Sequence, residues 1–303
     1  MKNLKLSIII LSYNTKDLLY DCLLSLEKVS KEVNFEVIVP DNGSIDGSPE
    51  MVEKDFKWVK KVIRIGKNLG FAAGNNKAKP FVQGEYVLFL NSDTVVPQNT
   101  LKEMVKYMDE TPDVGASTCK LVLPDGKLDK DARRSFVSPW LGLSHLFLRL
   151  DRVFPKSKIF SQYWYGYISP DETHEIDALQ GAFFLTRKKI LDDVGWFDED
   201  YFLDAEDIDL SWKIKSKGWK NVYYPKVDIL HIKGATKGKN NKLKKYTTFG
   251  EKLKYRMSGV NSIEIFVKKR IWNKYPLPLM VLVLLGIKLL KVIRFIKLVT
   301  FGK

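Results

Sequence analysis

The chain has 303 residues, 50 Lys+Arg against 36 Asp+Glu, a formal charge of +14, and 45% apolar residues. That length suits one large domain or a domain with an appendage, and the charge favours anionic partners: phosphates, nucleic acid or a lipid surface. Two cysteines, Cys22 and Cys119, imply neither a disulfide framework nor a zinc site, and the apolar run in MKNLKLSIIILSYN is too short for a signal-peptide core, so a cytosolic, reducing location is expected.

Residues 5–12 form a continuous isoleucine-rich run, the pattern of a strand covered on both faces. Residues 17–29 place Leu18, Leu19, Cys22, Leu23 and Leu26 at helical spacing. Strands are predicted at 35–39, 62–65 and 86–90, helices at 48–56 and from Pro97 to about Asp109, with the glycine-bearing segment 68–79 between them. This alternation predicts an α/β chain with a mostly parallel, doubly wound sheet and helices on both faces. Ligands of such sheets bind beyond the carboxyl ends of the strands, where Asn14, Asp41 and Asp93 fall.

After a strand at 114–122 the turn Pro124-Asp125-Gly126 breaks the pattern. Residues 133–175 are irregular and aromatic (Trp140, Phe147, Phe160, Tyr163, Trp164, Tyr165, Tyr167), either a partly helical excursion over the site or a packed surface insertion. A strand at 176–186, a short helix at 187–194, a helix at 204–218 closed by a glycine cap and a strand at 219–225 leading to His231 complete the pattern. We divide the chain into a catalytic domain at 1–240 and, at 241–303, a basic linker and helical tail. Residues 277–287 are almost wholly apolar, and Lys288, Lys291, Arg294 and Lys297 punctuate the remainder of the tail. The run is shorter than the roughly 20 residues needed to cross a bilayer. Basic residues every third position drift about 60° per step around a helix. An interfacial helix on an anionic membrane surface is therefore expected, against the rival of a helix packed on its own domain or a partner.

Residues 201–211 (YFLDAEDIDLS) carry Asp204, Glu206, Asp207 and Asp209 where an apolar stretch becomes a helix. A capping arrangement from Asp204 to Asp207 explains one or two of these acids, but not all four. Displacement of a sugar from a nucleoside diphosphate needs a base for the acceptor hydroxyl and a cation on the leaving diphosphate. Asp93, after the apolar VLFL, is the candidate metal ligand, with turn chemistry as its alternative. Asp41-Asn42-Gly43-Ser44 offers an acceptor for a pyrimidine N–H or ribose hydroxyl beside small residues, or simply a capped loop. His231, beyond a strand end, is either a metal ligand or structural; His145 and His174 lie in the irregular excursion without such context.

In order, SIIILSYN (7–14), DNGSIDGS (41–48), NLGFAAGNN (68–76), LNSDT (90–94), QGAFFLTRKKILDDVGWFDEDYF (180–202), AEDIDLSWKIKSKGW (205–219) and HIKGAT (231–236) resemble the inverting family 2 glycosyltransferases of GT-A fold, especially their rhamnosyltransferase-like branch. The resemblance spans roughly residues 5–236. It implies that Asp207 is the catalytic base and that Asp93 and His231 hold Mg or Mn. It further implies that Ser12, Asn14, Asp41, Asn42, Asn68, Gly70, Gly74, Asn91, Ser92, Gly181, Ala182 and Glu206 surround the donor. Two positions depart from the family pattern: Asn91 replaces the first acid of the DXD motif, and Pro40 precedes Asp41. The Gln-x-x-Arg-Trp motif and spanning helices of the processive synthases do not occur.

The expectation is a non-processive, inverting, metal-dependent transferase moving one sugar, rhamnose by preference, from a UDP- or dTDP-sugar to a glycan acceptor carried on a lipid, in cell-surface polysaccharide biosynthesis. It would work as a peripheral protein at the cytoplasmic face of the membrane. A nucleotide-binding relative without transfer activity is the alternative. A nucleic-acid partner is not expected, because lysines concentrate only at 233–245 and in the tail and no base-reading motif occurs.

Overall fold

The computed structural model describes residues 4–233 and 249–301. Among them nine strands form one sheet: β1 (Leu6–Ile9), β2 (Phe35–Asp41), β3 (Lys61–Arg64), β4 (Tyr86–Leu90), β5 (Thr94–Val95), β6 (Val114–Val122), β7 (His174–Ile176), β8 (Phe183–Arg187) and β9 (Lys220–His231), in the order β3-β2-β1-β4-β8-β6-β9-β5 with β7 also on β9. The isoleucine-rich run becomes β1, parallel to β2 and β4, with Leu6 opposite Phe35 on one side and Tyr86 on the other. Leu6, Ile8 and Ile9 are fully buried, as a strand covered on both faces requires. Helix Lys16–Lys28 lays Leu19, Cys22, Leu23 and Leu26 onto this core.

The parallel half of the sheet follows the alternating βα pattern, whereas β8 enters antiparallel between β4 and β6 and makes the sheet mixed. The strand predicted at 176–186 is in fact two, β7 and β8. Polar anchors interrupt the ladder between them: Asp177 binds Lys215 and the Phe136 N–H, and the Gly181 N–H donates to Asp207. The last strand is longer than predicted and passes through Pro225. Its pairing with β6 skips from Tyr223 to Asp228, so the missing proline N–H falls where no ladder bond is due. Pro40 likewise fits within β2, opposite Ile63 of β3. The segment 68–79 contributes only the short helix Phe71–Asn76, entered through Gly70 at φ +90.

The four clustered acids sort by partner. The helix starts at Glu206, after Asp204 and Ala205 in left-handed conformations (φ +68 and +65), and no side chain caps it, so the capping reading fails. Asp209, fully buried, takes a two-pronged ion pair from Arg270 (2.7 and 3.0 Å) and a hydrogen bond from the Tyr201 hydroxyl. It pins the C-terminal region to this helix. Asp204 accepts from Ser258 of the next helix. Asp204, Glu206 and Asp207 line the cavity, and Asp209 does not.

Helices Phe249–Phe266 and Leu277–Phe301 share a second apolar cluster with Ala178, Tyr201, Ala205 and Ile208. Residues 234–248, including most of the basic linker and the domain boundary, lie outside the described residues. The final helix does not present a single outward charged face: Lys288 and Lys297 are exposed, whereas Lys291 turns inward. Met280 and Ile287 are buried, Lys291 pairs with Glu264, and Arg294 turns to the Arg256 carbonyl. These positions form one stripe at helical spacing against helix Phe249–Phe266, so the opposite, outward face is apolar. Leu277, Leu282, Leu285, Leu289 and Val299 are each more than half exposed. No helix of the described residues is long and apolar enough to cross a membrane.

Candidate active site

Beyond the carboxyl ends of β1, β2 and β4 lies a cavity of about 380 Å³. The predicted residues Asn42, Asn68, Gly70, Asn91, Ser92, Gly181, Ala182, Glu206 and Asp207 line it together. Asp207 stands in the first turn of helix Glu206–Ser216. Its Oδ2 accepts from Arg134 Nη2 at 2.7 Å and from the Gly181 N–H at 3.0 Å. Both side chains are about one-tenth exposed, so the pair is largely desolvated and its orientation is held from two sides. Arg134 Nη2 also donates to the Leu179 carbonyl at 2.5 Å. The cavity therefore presents a carboxylate fixed by a guanidinium and a backbone amide.

Asp93 and His231 face each other behind the neighbouring Ser92, buried and outside the cavity lining. Asp93 Oδ1 is buried without a hydrogen-bond partner and stands 3.5 Å from His231 Nε2. The other ring nitrogen, Nδ1, bonds Asp129 Oδ2 at 2.9 Å. Burial disfavours a charged ring, but the hydrogen bond to Asp129 and the Asp93 carboxylate outweigh it and push the imidazole to about 9. The charged ring bridges the two carboxylates, and to ligate a cation it would have to give up a proton. Among the described residues no group of three or more His, Cys, Asp or Glu side chains is arranged to hold a metal.

At the ends of β1 and β2, Ser12 and Asp41 form a bridge and leave two buried atoms, Ser12 Oγ and Asp41 Oδ2, without partners. Asp41 Oδ1 accepts from the N–H groups of Gly43 and Ser44. Asn14, Gly74 and the Ser12–Asp41 pair are not in the cavity wall. Asn14 Oδ1 accepts from the Ile45 N–H and its own N–H donates to Ser44 Oγ, which ties down the 44–45 loop. A Cβ at Gly74 would lie 2.7 Å from Leu11 Cδ1, so this glycine serves packing under the sheet. Asn42 shapes the next loop, donating to Asn68 Oδ1 and the Gly70 carbonyl and accepting from the Leu69 N–H. At Gly70 a Cβ would meet the Phe202 carbonyl at 2.2 Å.

Residues 7–195 match the family model of glycosyl transferase family 2. The chain belongs to that family. This family 2 glycosyltransferase is 26% identical, over 78% of its own length and 78% of the relative's, to an N-acetylglucosaminyl-diphospho-decaprenol L-rhamnosyltransferase of Mycobacterium tuberculosis. Its fold is similar to a mannosyltransferase from Pyrobaculum calidifontis in complex with GDP-Man and Mn2+ (TM-score 0.57, 18% identity, 88% of this chain). It is also similar to S. aureus TarS 1–349 in complex with UDP-GlcNAc (TM-score 0.53, 20% identity, 86% of this chain). The chain spans 64% and 66% of those two structures' lengths.

Sequence reading of this glycosyltransferase missed Arg134, Asp129, Tyr255 and the site position of His145. Asp129 binds both His231 and Lys233, and five residues on Arg134 holds Asp207, so one short segment braces both candidate centres. His145 lines the cavity with Tyr163 stacked on it at 4.5 Å, and Asp151 lies 3.2 Å from its Nδ1. Burial lowers its pKa, against the pull of Asp151. The aromatic excursion thus covers the site with part of its length. Tyr255, from the C-terminal helices, meets Asn68 Nδ2 at 2.6 Å. An arginine pair, Arg133-Arg134, before an aromatic segment was the only sequence signal, and nothing in it points 73 residues ahead to Asp207.

Proposed function

We propose that this protein transfers one sugar from a UDP- or dTDP-sugar, rhamnose by preference, to a glycan acceptor carried on a lipid diphosphate, with inversion. The observation that carries this reading is the placement of Asp207, fixed by Arg134 and the Gly181 N–H, in one cavity wall with Asn91 and Ser92. The acceptor hydroxyl attacks the anomeric carbon from the face opposite the nucleotide. Its proton passes to the Asp207 carboxylate, the new C–O bond forms, and the bond to the nucleoside diphosphate breaks with its electron pair leaving on the phosphate oxygen. Asp41 Oδ2 and Ser12 Oγ are suited to the base and ribose of the donor, as unpartnered buried acceptors. Asp93 and His231 would hold Mg or Mn, which supplies charge neutralisation to the leaving diphosphate. The acceptor in the mycobacterial relative's name, an N-acetylglucosaminyl-diphospho-decaprenol, supports the lipid-linked substrate.

A panel of UDP-, dTDP- and GDP-sugars tested by thermal shift, with Mn and with EDTA, tests the reading. One donor is expected to raise the melting temperature only with metal, and Asp93→Ala is expected to abolish the metal-dependent part. Nucleotide binding without donor hydrolysis or transfer would instead make the protein an inactive relative. No shift with any nucleotide from folded protein would overturn the reading.

As part of this reading the protein works at the cytoplasmic face of a membrane, bound through its last helix. Support comes from the outward apolar face, with Lys288 and Lys297 at its edges. Replacing Leu282, Leu289 and Ile296, each more than half exposed, by Ser is expected to leave the fold intact and to release the protein from anionic phosphatidylglycerol vesicles in flotation. Equal flotation of the variant would remove the membrane role of this face.

A further inference from the structure

Two arginines reach the cavity wall. Arg134 is committed to Asp207. Arg294 comes from the last helix, and its Nη1 makes one long hydrogen bond, 3.4 Å, to the Arg256 carbonyl. Among the described residues it has no carboxylate partner within ion-pair distance; Asp204 influences it from farther away. Gly259 keeps the space there open, because a Cβ at that position would stand 3.3 Å from Asp204 Oδ2 and 3.5 Å from Arg294 Nη1. Burial pulls the guanidinium below its usual range, with Asp204 opposing. Arg294 is exposed and remains a cation that a ligand can reach.

The helix that carries Arg294 into the cavity carries the exposed apolar face on its other side. Leu285, Leu289 and Val292 are 55%, 55% and 54% exposed, and Phe147, 45% exposed, packs beside Gly286 of the same helix. One helix thus presents a guanidinium to the cavity on one side and an exposed apolar surface on the other. A ligand that fits both sides has a diphosphate joined to a long hydrocarbon chain.

We propose that Arg294 binds the diphosphate of the lipid-linked acceptor, whose hydrocarbon chain runs along the outward face of the last helix. This rests on the transferase reading. A donor nucleotide offers the same diphosphate chemistry. Its candidate contacts, however, are Ser12, Asp41 and the Asp93–His231 pair, at the ends of strands in the sheet, whereas Arg294 is carried by the C-terminal helices beside Asp204 and Gly259.

The test uses the full chain in detergent micelles, with wild type, Arg294→Gln and Arg294→Lys compared by melting temperature to establish that each is folded. Farnesyl diphosphate and farnesol are titrated as probes. Arg294→Gln is expected to weaken farnesyl diphosphate about tenfold or more, the usual weight of a charge-assisted contact, and to leave farnesol within about twofold. Arg294→Lys should recover part of the loss. In steady-state transfer the KM for a short polyprenyl-diphospho-sugar acceptor should rise by the same factor while the donor KM stays. Equal binding of farnesyl diphosphate by wild type and Arg294→Gln overturns the proposal. So does a rise confined to the donor KM, which would hand this residue to the nucleotide diphosphate. If the wild type transfers no sugar from any donor the transferase reading falls, and the farnesyl diphosphate comparison still decides the role of Arg294.

Discussion

Asp207→Asn is expected to lower the transfer rate by about a thousandfold, within the range for loss of a positioned general base. Asparagine keeps the shape and still accepts from Arg134 and the Gly181 N–H, the two contacts that fix the carboxylate. Donor binding should therefore stay near that of the wild type, while the melting temperature falls because the buried Arg134 guanidinium loses its counter-charge. The measurement is single-turnover transfer with saturating donor and acceptor, beside donor affinity by thermal shift. A variant that keeps more than about a tenth of the rate would take the base role away from Asp207. A variant that loses donor binding as well would make the residue part of the donor site instead.

Arg134→Leu should be costly in two ways. The guanidinium is about nine-tenths buried and holds a carboxylate that is equally buried. Removing one partner of such a pair leaves an uncompensated charge, at a cost of about 3–5 kcal/mol. A fall of that size in denaturant unfolding is the expected result, together with loss of transfer. The double variant Arg134→Leu with Asp207→Asn should be more stable than Arg134→Leu alone, because no charge is then stranded. If Arg134→Leu is as stable as the wild type, the ion pair is not a fixed element of the site. If the double variant is no more stable than Arg134→Leu, the destabilisation comes from lost packing rather than a stranded charge.

What the sequence showed and what it hid divide along the kind of signal each residue carries. Asn42, Asn91 and Ser92 follow strands whose apolar runs are unambiguous, so topology alone brings them to one edge of the sheet. The acidic cluster was legible because four acids exceed what a helix start requires, and only the family resemblance singled out Asp207 among them. The structure then accounts for the excess: Asp209 holds Arg270 and Asp204 takes Ser258. Arg134 and Asp129 were illegible because they sit in irregular chain with no period, and their partners are 73 and 102 residues away. The split of the predicted strand 176–186 escaped for a related reason. Its residues are apolar enough to continue a ladder, and what stops the ladder is a set of tertiary hydrogen bonds at Asp177 and Gly181. The tail was misread in orientation rather than in kind. Apolar and basic residues both surround that helix, and only the packing of Ile287 and the Lys291–Glu264 pair decides which side the protein keeps.

That packing makes the last helix a wall of the cavity with an apolar outer side. Its inner stripe touches the cluster containing Ala205 and Ile208, residues on either side of the acids that face the cavity, and Arg294 forms part of the lining. Cutting the chain before Leu277 would therefore not produce a freed catalytic domain; it would unroof the pocket and bare Val260 and Phe266. Conversely, a pull on this helix by whatever covers its outer face is felt at the cavity without any intermediary.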